Sequence, residues 1–160
     1  MKIATYNVNS IRQRLPIVLD WIAEHKPDVM CLQETKVQDK DFPAEAIQKA
    51  GYHVAYRGMK AYNGVATLTR AEPEKVSYGL HEGPDNEDFR IIQTVVGGIS
   101  VINSYVPQGY SIDSEKFAYK LAWFRRLKRY FESTLDPGPA VDRLSVARPG
   151  WEVEIRHRIR

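Results

Sequence analysis

Apolar positions along this chain fall into short runs and one-sided stripes rather than long blocks. The densest run is Val29-Met30-Cys31-Leu32, which predicts a strand buried on both faces. Polar Gln33-Glu34-Thr35-Lys36 follows at once, so the chain surfaces where that strand ends. Lys2 to Asn7 predicts an earlier short strand. Between the two, Leu15, Val18, Leu19 and Ile22 recur at helical spacing, which gives a helix over 11–25 with one apolar face. Ser10 followed by Gln13 has the capping-box pattern at its start, and Lys26-Pro27 stops it. Residues 1–34 therefore read β-α-β, with a crossover long enough for parallel neighbours. On that reading Asn7 and Glu34 leave the sheet at one edge.

A second helix is expected over 43–50, from Pro43 to a stop at Gly51. The pattern then turns to short strands: His53 to Tyr56, Gly64 to Leu68, Lys75 to Tyr78, Arg90 to Val96 and Ile99 to Tyr105. Asn63-Gly64, Gly79, Pro84-Asp85-Asn86 and Gly97-Gly98 punctuate them, the last as a two-residue hairpin turn. A third helix is expected over 114–133, with Phe117, Leu121, Phe124, Leu127 and Phe131 as its inner stripe. Arg125, Arg126, Lys128 and Arg129 load its middle with charge, most simply a solvated face. After Asp136-Pro137-Gly138-Pro139 the character changes. Residues 143–160 hold five arginines and no lysine, and Val141, Leu144, Val146, Trp151, Val153 and Ile155 offer one or two strands.

Composition adds limits. The length, 160 residues, suits one domain with a core, and 43% hydrophobic with 27% charged residues is globular rather than disordered. A net charge of +3 permits a nucleic-acid partner without requiring one. No run approaches a membrane span and the N-terminus lacks a signal-peptide pattern. Cys31 is the single cysteine, so no intrachain disulfide forms and a reducing, cytoplasmic setting is expected.

Three places carry chemistry: Thr5 to Arg12, Leu32 to Lys36, and Asn103-Ser104-Tyr105-Val106-Pro107-Gln108-Gly109. Each lies at the end of an expected strand, where α/β sheets place their ligands. Together they supply one carboxylate, several amides, a phenol and two cations. That set suits a phosphodiester held beside a hard cation such as Mg²⁺, which takes one or two carboxylates plus phosphate oxygens. It does not suit a nucleophilic triad. The histidines (His25, His53, His81, His157) are scattered and lack ligand spacing.

These motifs resemble the exonuclease III / apurinic-apyrimidinic endonuclease family of the endonuclease-exonuclease-phosphatase superfamily. The resemblance runs from Met1 to about Asp136. It includes Asn7-Val8-Asn9-Ser10-Ile11-Arg12, Gln33 to Lys36, Gly64-Val65-Ala66, Asp88 to Arg90, Asn103 to Gly109, Lys116-Phe117, Lys120-Leu121 and Trp123-Phe124. It implies an α/β fold: half of a four-layer sandwich, one mixed sheet covered by helices on its outer face. It implies a metal-dependent DNA-repair nuclease acting 5′ to abasic sites and at 3′ ends of double-stranded DNA, with Mg²⁺ or Mn²⁺ as cofactor. Glu34 would be the metal ligand with Asn7 beside it, and Tyr105 would aim its hydroxyl at the phosphate. Asn7, Glu34 and Tyr105 are thus the catalytic candidates. Asn9, Gln33, Lys36 and Gln108 are the substrate-contact candidates.

Departures from the family pattern concern the end of the chain. Where the family has Gly-Asp-apolar-Asn, this chain has Asp142-Arg143-Leu144-Ser145, so Arg143 and Ser145 stand for the Asp and Asn. The family's later Asp-His pair has no counterpart, since no Asp precedes His157. Residues 1–136 then read as the N-terminal half of the fold and 137–160 as a divergent tail, frame-shifted or truncated. The expectation is an incomplete, inactive piece of the nuclease; the alternative is a non-catalytic DNA- or partner-binding module. An N-terminal sheet without its partner sheet would leave an apolar face uncovered, open to non-native self-association. The hypothesis of a shifted frame rests on the arginine-rich tail. Resequencing codons 136–147 tests it, and an intact frame with the same codons rejects it.

Overall fold

The computed structural model describes residues 1–80 and 89–134, and the backbone alone of 152–155. The expectations for His81, the Pro84-Asp85-Asn86 turn, Asp88, Asp142, Arg143, Ser145 and His157 lie outside the described residues.

Strand β1 (Lys2–Asn7), helix α1 (Ile11–His25) and strand β2 (Val29–Gln33) form the expected unit, and the two strands pair in parallel. Asn7 stands opposite Gln33, so both strands run out together. A short helix α2 (Ala44–Lys49) leads to β3 (His53–Arg57) and β4 (Val65–Thr69), which join the sheet antiparallel. After β5 (Lys75–Tyr78), β6 (Ile91–Val96) and β7 (Ile99–Ser104) comes the long helix α3 (Glu115–Thr134). Strand β8 (Glu152–Ile155) pairs in parallel with β1 at the sheet edge, so the tail contributes to the first sheet. The first sheet has the order β3-β4-β2-β1-β8. Gly97 and Gly98 both have positive φ, which is what a two-residue turn of primed type requires between β6 and β7.

The mixed, helix-covered sheet is present, but it is not alone. Strands β5, β6 and β7 make a separate antiparallel sheet in that order. The alternation of side chains along each strand decides how the layers stack. Ala4, Met30, Leu32, Ala66 and Leu68 pack with Val18 and Ile22 of α1 and Ile47 of α2. The opposite faces meet the second sheet: Val29 and Cys31 pack on Val101, and Ala55 and Val65 on Ile92. The second sheet is covered in turn by α3, through Ile91, Trp123 and Tyr130. The layers thus run helices, sheet, sheet, helix.

Two expectations change as a result. Among the described residues the inner face of the first sheet packs against this chain's own β5–β7, so the expectation of self-association through an uncovered face loses its basis there. The sequence stripe could not reveal this, because a strand's period says which residues share a face and not which sheet the strand joins. The buried side of α3 is also rotated from the expected stripe. Trp123 and Tyr130 are buried with Leu127 and Phe131 beside them, while Leu121 and Phe124 are exposed. Two apolar stripes compete on that helix, and the one holding the large Trp123 removes more surface from water. The basic residues Arg125, Lys128 and Arg129 are exposed, as a solvated face requires. Among the described residues no helix is long and apolar enough to cross a membrane.

Cys31 lies 6% exposed between the two sheets, and burial pushes its thiol up to about 12. Attack on a disulfide reagent requires the thiolate. Cys31 should therefore stay unlabelled by an aromatic disulfide at pH 8 in native buffer and react fully on unfolding. Fast native labelling would mean that the sheets do not close over it.

Candidate active site

The site is built at the edge of the sheet pair, where β1 and β2 terminate side by side. Immediately after β2 the backbone turns sharply. Glu34 has φ +55° and Lys36 φ +53°, and on the facing segment Asn9 has +43° and Ser10 +98°. Left-handed backbone in non-glycine residues costs on the order of 1–3 kcal/mol each and persists only where surroundings over-determine it. Here the surroundings do so on two sides. Ser10 N–H donates to the Glu34 carbonyl at 2.8 Å and Ile11 N–H to the Thr35 carbonyl at 3.0 Å. On the other side Thr35 N–H donates to the Gly64 carbonyl at 3.2 Å and Lys36 N–H to that of Asn63 at 3.0 Å. Ser10 does not cap α1 with its side chain; the Thr35 carbonyl takes the Ile11 N–H instead. The capping-box pattern is unused, because Ser10 has φ +98° and ψ +104°, outside the extended backbone from which an N-cap side chain reaches the first turn.

Thr35 is 1% exposed and wedged between two glycines. A Cβ on Gly64 would come within 2.1 Å of the Thr35 Oγ1, and one on Gly58 within 2.1 Å of the Val37 carbonyl oxygen. Gly64 also has φ +91°. Both the fit and the angle require glycine at that position.

The turn presents the Glu34 carboxylate to three donors. Asn7 Nδ2 donates to Oε1 at 2.7 Å, and Lys36 Nζ lies 3.0 Å from Oε2. The Tyr105 hydroxyl makes the third hydrogen bond, reaching across from the end of β7. Asn7 is held in turn by Asn9, whose N–H donates to Asn7 Oδ1 at 3.1 Å, and Lys36 Nζ also donates to Asn9 Oδ1. Burial alone would raise the Glu34 carboxyl; the Asn7 and Lys36 hydrogen bonds, the Lys36 charge and the Tyr105 hydroxyl outweigh it and bring it below its ordinary value. Burial raises the Tyr105 phenol, and the Glu34 charge raises it further.

Five of the seven sequence candidates meet here: Asn7, Asn9, Glu34, Lys36 and Tyr105. Gln33 lies alongside but turns into the protein, its amide engaged by Thr5 and Asn103. This geometry gives it two internal partners. Gln108 is exposed in the loop beyond Tyr105, and no described hydrogen bond ties it to the cluster. Arg90 carried no role in the sequence and has a place in the structure. Its guanidinium lies 4.9 Å from the Tyr105 ring centroid, and its Nη1 donates to the Tyr105 carbonyl at 3.4 Å. The hint was its position at the head of β6, the strand that pairs with β7.

The donors that a metal would meet are oxygens, Glu34 Oε1 and Oε2 with Asn7 Oδ1 near. Among the described residues no three His, Cys, Asp or Glu side chains group to hold a metal. The set fits a hard cation that takes one carboxylate and fills its shell with water and phosphate oxygens. It does not fit a closed Zn²⁺ site.

The model of the Endonuclease/Exonuclease/phosphatase family matches residues 4–153. The chain belongs to that family. Within it, exodeoxyribonuclease III of Haemophilus influenzae is 40% identical over 142 residues, 85% of this chain and 53% of the relative. A solved structure of an AP endonuclease from Archaeoglobus fulgidus superposes with a TM-score of 0.80 at 54% identity, covering 84% of this chain and 52% of that one. The 3′ phosphatase NExo from Neisseria, bound to product DNA hairpin, gives 0.79 at 42% identity, covering 82% and 51%. The chain thus spans about half the length of these relatives.

Folding holds the Glu34 carboxyl below its ordinary value of 4.5, so its ionised form stabilises the fold above that pH. That contribution is lost as pH falls through the lower folded value. Thermal melts of the wild type and of Glu34→Gln, both in chelator, should differ most near neutral pH and converge on acidification. A gap that widens toward low pH would overturn the assigned network.

Proposed function

We propose that this chain carries the metal- and phosphate-facing half of an exonuclease III-like DNA-repair nuclease site. The observation behind this reading is the single carboxylate of Glu34, tied to an amide, an ammonium and a phenol at the edge where β1 and β2 end. A metal-binding nuclease needs a carboxylate whose charge is available and whose neighbours tolerate an incoming phosphate. Asn7 and Tyr105 contact the carboxylate without adding charge, and Lys36 supplies the attraction for an anion. The relatives' names support DNA as the substrate: an exodeoxyribonuclease, an AP endonuclease and a phosphatase captured with a DNA hairpin. Double-stranded DNA with abasic sites or 3′ ends is the proposed partner.

Mg²⁺ or Mn²⁺, when bound, would polarise the phosphoryl group and favour a water nucleophile. Glu34 would hold it, with Asn7 orienting the carboxylate and lying beside the scissile phosphate. The Tyr105 hydroxyl, kept protonated by burial and by the Glu34 charge, would turn its one proton from Glu34 to a phosphoryl oxygen when the substrate enters. Lys36 and Asn9 line the same edge and would meet the flanking backbone. The general base is the part for which no described residue stands at the site, and its absence typically costs about 10²–10⁴-fold in rate.

The test is a nuclease and binding assay on an abasic-site duplex. The 160-residue chain should bind the duplex more tightly with Mg²⁺ than with chelator and cleave it far more slowly than a full-length relative. Glu34→Gln should remove the Mg²⁺ dependence. Binding that ignores both Mg²⁺ and Glu34→Gln, with no cleavage, would replace this reading with the non-catalytic binding module.

A further inference from the structure

Asn103 is a polar residue 2% exposed, set in β7 on the face that meets the first sheet. Its surroundings leave only one orientation for its amide. Nδ2 faces the Ala66 carbonyl at 2.8 Å, the Leu32 carbonyl at 3.2 Å and the Thr67 hydroxyl at 3.3 Å. Backbone carbonyls only accept, so the nitrogen must point there. Oδ1 is then left to accept from Gln33 Nε2, at 2.8 Å. That bond fixes Gln33 as well. Its nitrogen also reaches the Thr5 hydroxyl at 3.0 Å, and the hydroxyl donates to Gln33 Oε1 at 3.3 Å. A chain of oriented bonds thus joins β7 to β4, β2 and β1.

The position of this bridge gives it its meaning. Gln33 is the residue before Glu34. Asn103 lies two residues before Tyr105 on the same face of the strand. The bridge therefore ties together the two segments that carry the Glu34–Tyr105 contact, one from each sheet. Apolar packing between sheets is non-directional and leaves sliding cheap; a buried amide with all its partners in place does not.

We propose that Asn103 and Gln33 are positioning residues, whose bridge between the sheets holds the Glu34 turn in its strained form and sets it opposite Tyr105. The role rests on the metal and phosphate reading of Glu34, and the experiment separates the two. Asn103→Leu and Gln33→Leu keep much of the volume and remove the bridge; Gln33→Leu leaves the Asn103 bonds to the carbonyls intact. Amide hydrogen exchange reads the turn directly at Ser10, Ile11 and Thr35, whose N–H groups close it. Each variant should lower protection at those amides about tenfold, the scale of one net hydrogen bond, while the β3–β4 ladder keeps its protection. The double variant should lose about as much as Asn103→Leu alone, because that substitution already removes the bond to Gln33 together with those to the carbonyls. Mn²⁺ alone serves as the second probe. In the wild type its paramagnetic broadening should reach both the Glu34 and the Tyr105 segments, and in the variants it should weaken at Tyr105 relative to Glu34.

Wild-type protection of Ser10, Ile11 and Thr35 in folded variants would overturn the proposal. So would a uniform loss across both sheets or unfolding of both single variants, either of which would make the bridge a general stabiliser. A local loss of protection with no Mn²⁺ broadening in the wild type would keep the bridge and reject the metal reading.

Discussion

The turn at Glu34 and Thr35 is the constraint on which the remainder of the site depends. The chain leaves β2 with left-handed backbone at a charged residue, a conformation that β-sheet geometry does not favour. It stays there because its two carbonyls receive N–H groups from Ser10 and Ile11 while its own N–H groups reach the loop at Asn63 and Gly64. The start of α1, the end of β2 and the approach to β4 are therefore one connected object. Thr35 fills the space that two glycines leave open, so the packing and the hydrogen bonds require the same backbone path. A more relaxed path after Gln33 would aim the carboxylate elsewhere.

The electrostatics follow from that placement. A carboxylate that is partly removed from water must be compensated or it takes up a proton. Glu34 is compensated by neutral donors as well as by one cation. Asn7 and Tyr105 give it hydrogen bonds that do not cancel its charge, and Lys36 gives it an ion pair 3.0 Å away. Tyr105 is also held from behind, with Arg90 against its ring and the Tyr105 N–H donating to the Arg90 carbonyl at 2.7 Å. The second sheet therefore has two functions: it closes the core over Val29 and Cys31, and it delivers one of the site's groups.

Much of this was readable from the amino acids. Alternating and helical spacing place β1, α1, β2 and the later strands near their observed bounds, because local period is a property of neighbouring residues. Parallel pairing of β1 and β2 follows from the length of the crossover between them, and with it the meeting of Asn7 and Glu34. The resemblance in Asn7 to Arg12, Gln33 to Lys36 and Asn103 to Gly109 points to the family that the comparison bears out over residues 4–153. Cys31 reads as a buried core residue and is one.

What tertiary structure alone decided are the relations between distant segments. Spacing along β5, β6 and β7 is the same whether they extend the first sheet or form a second, and only their pairing partners settle it. The face that α3 buries depends on which of two apolar stripes meets Ile91, and Trp123 wins by contact rather than by period. The Ser10 capping pattern is locally sound and goes unused: bonded to the turn 24 residues on, Ser10 takes φ +98°, outside the extended backbone of a side-chain cap. Gln33 looks like a surface amide at a strand end. It becomes an internal partner only because β7 sets Asn103 against it, 70 residues further along the chain. The sequence by itself determined the elements, their order and the residue types where β1 and β2 end. The fold decided which of those side chains face one another, because hydrogen bonds across a sheet interface are set by how strands stack and leave no local trace in the chain.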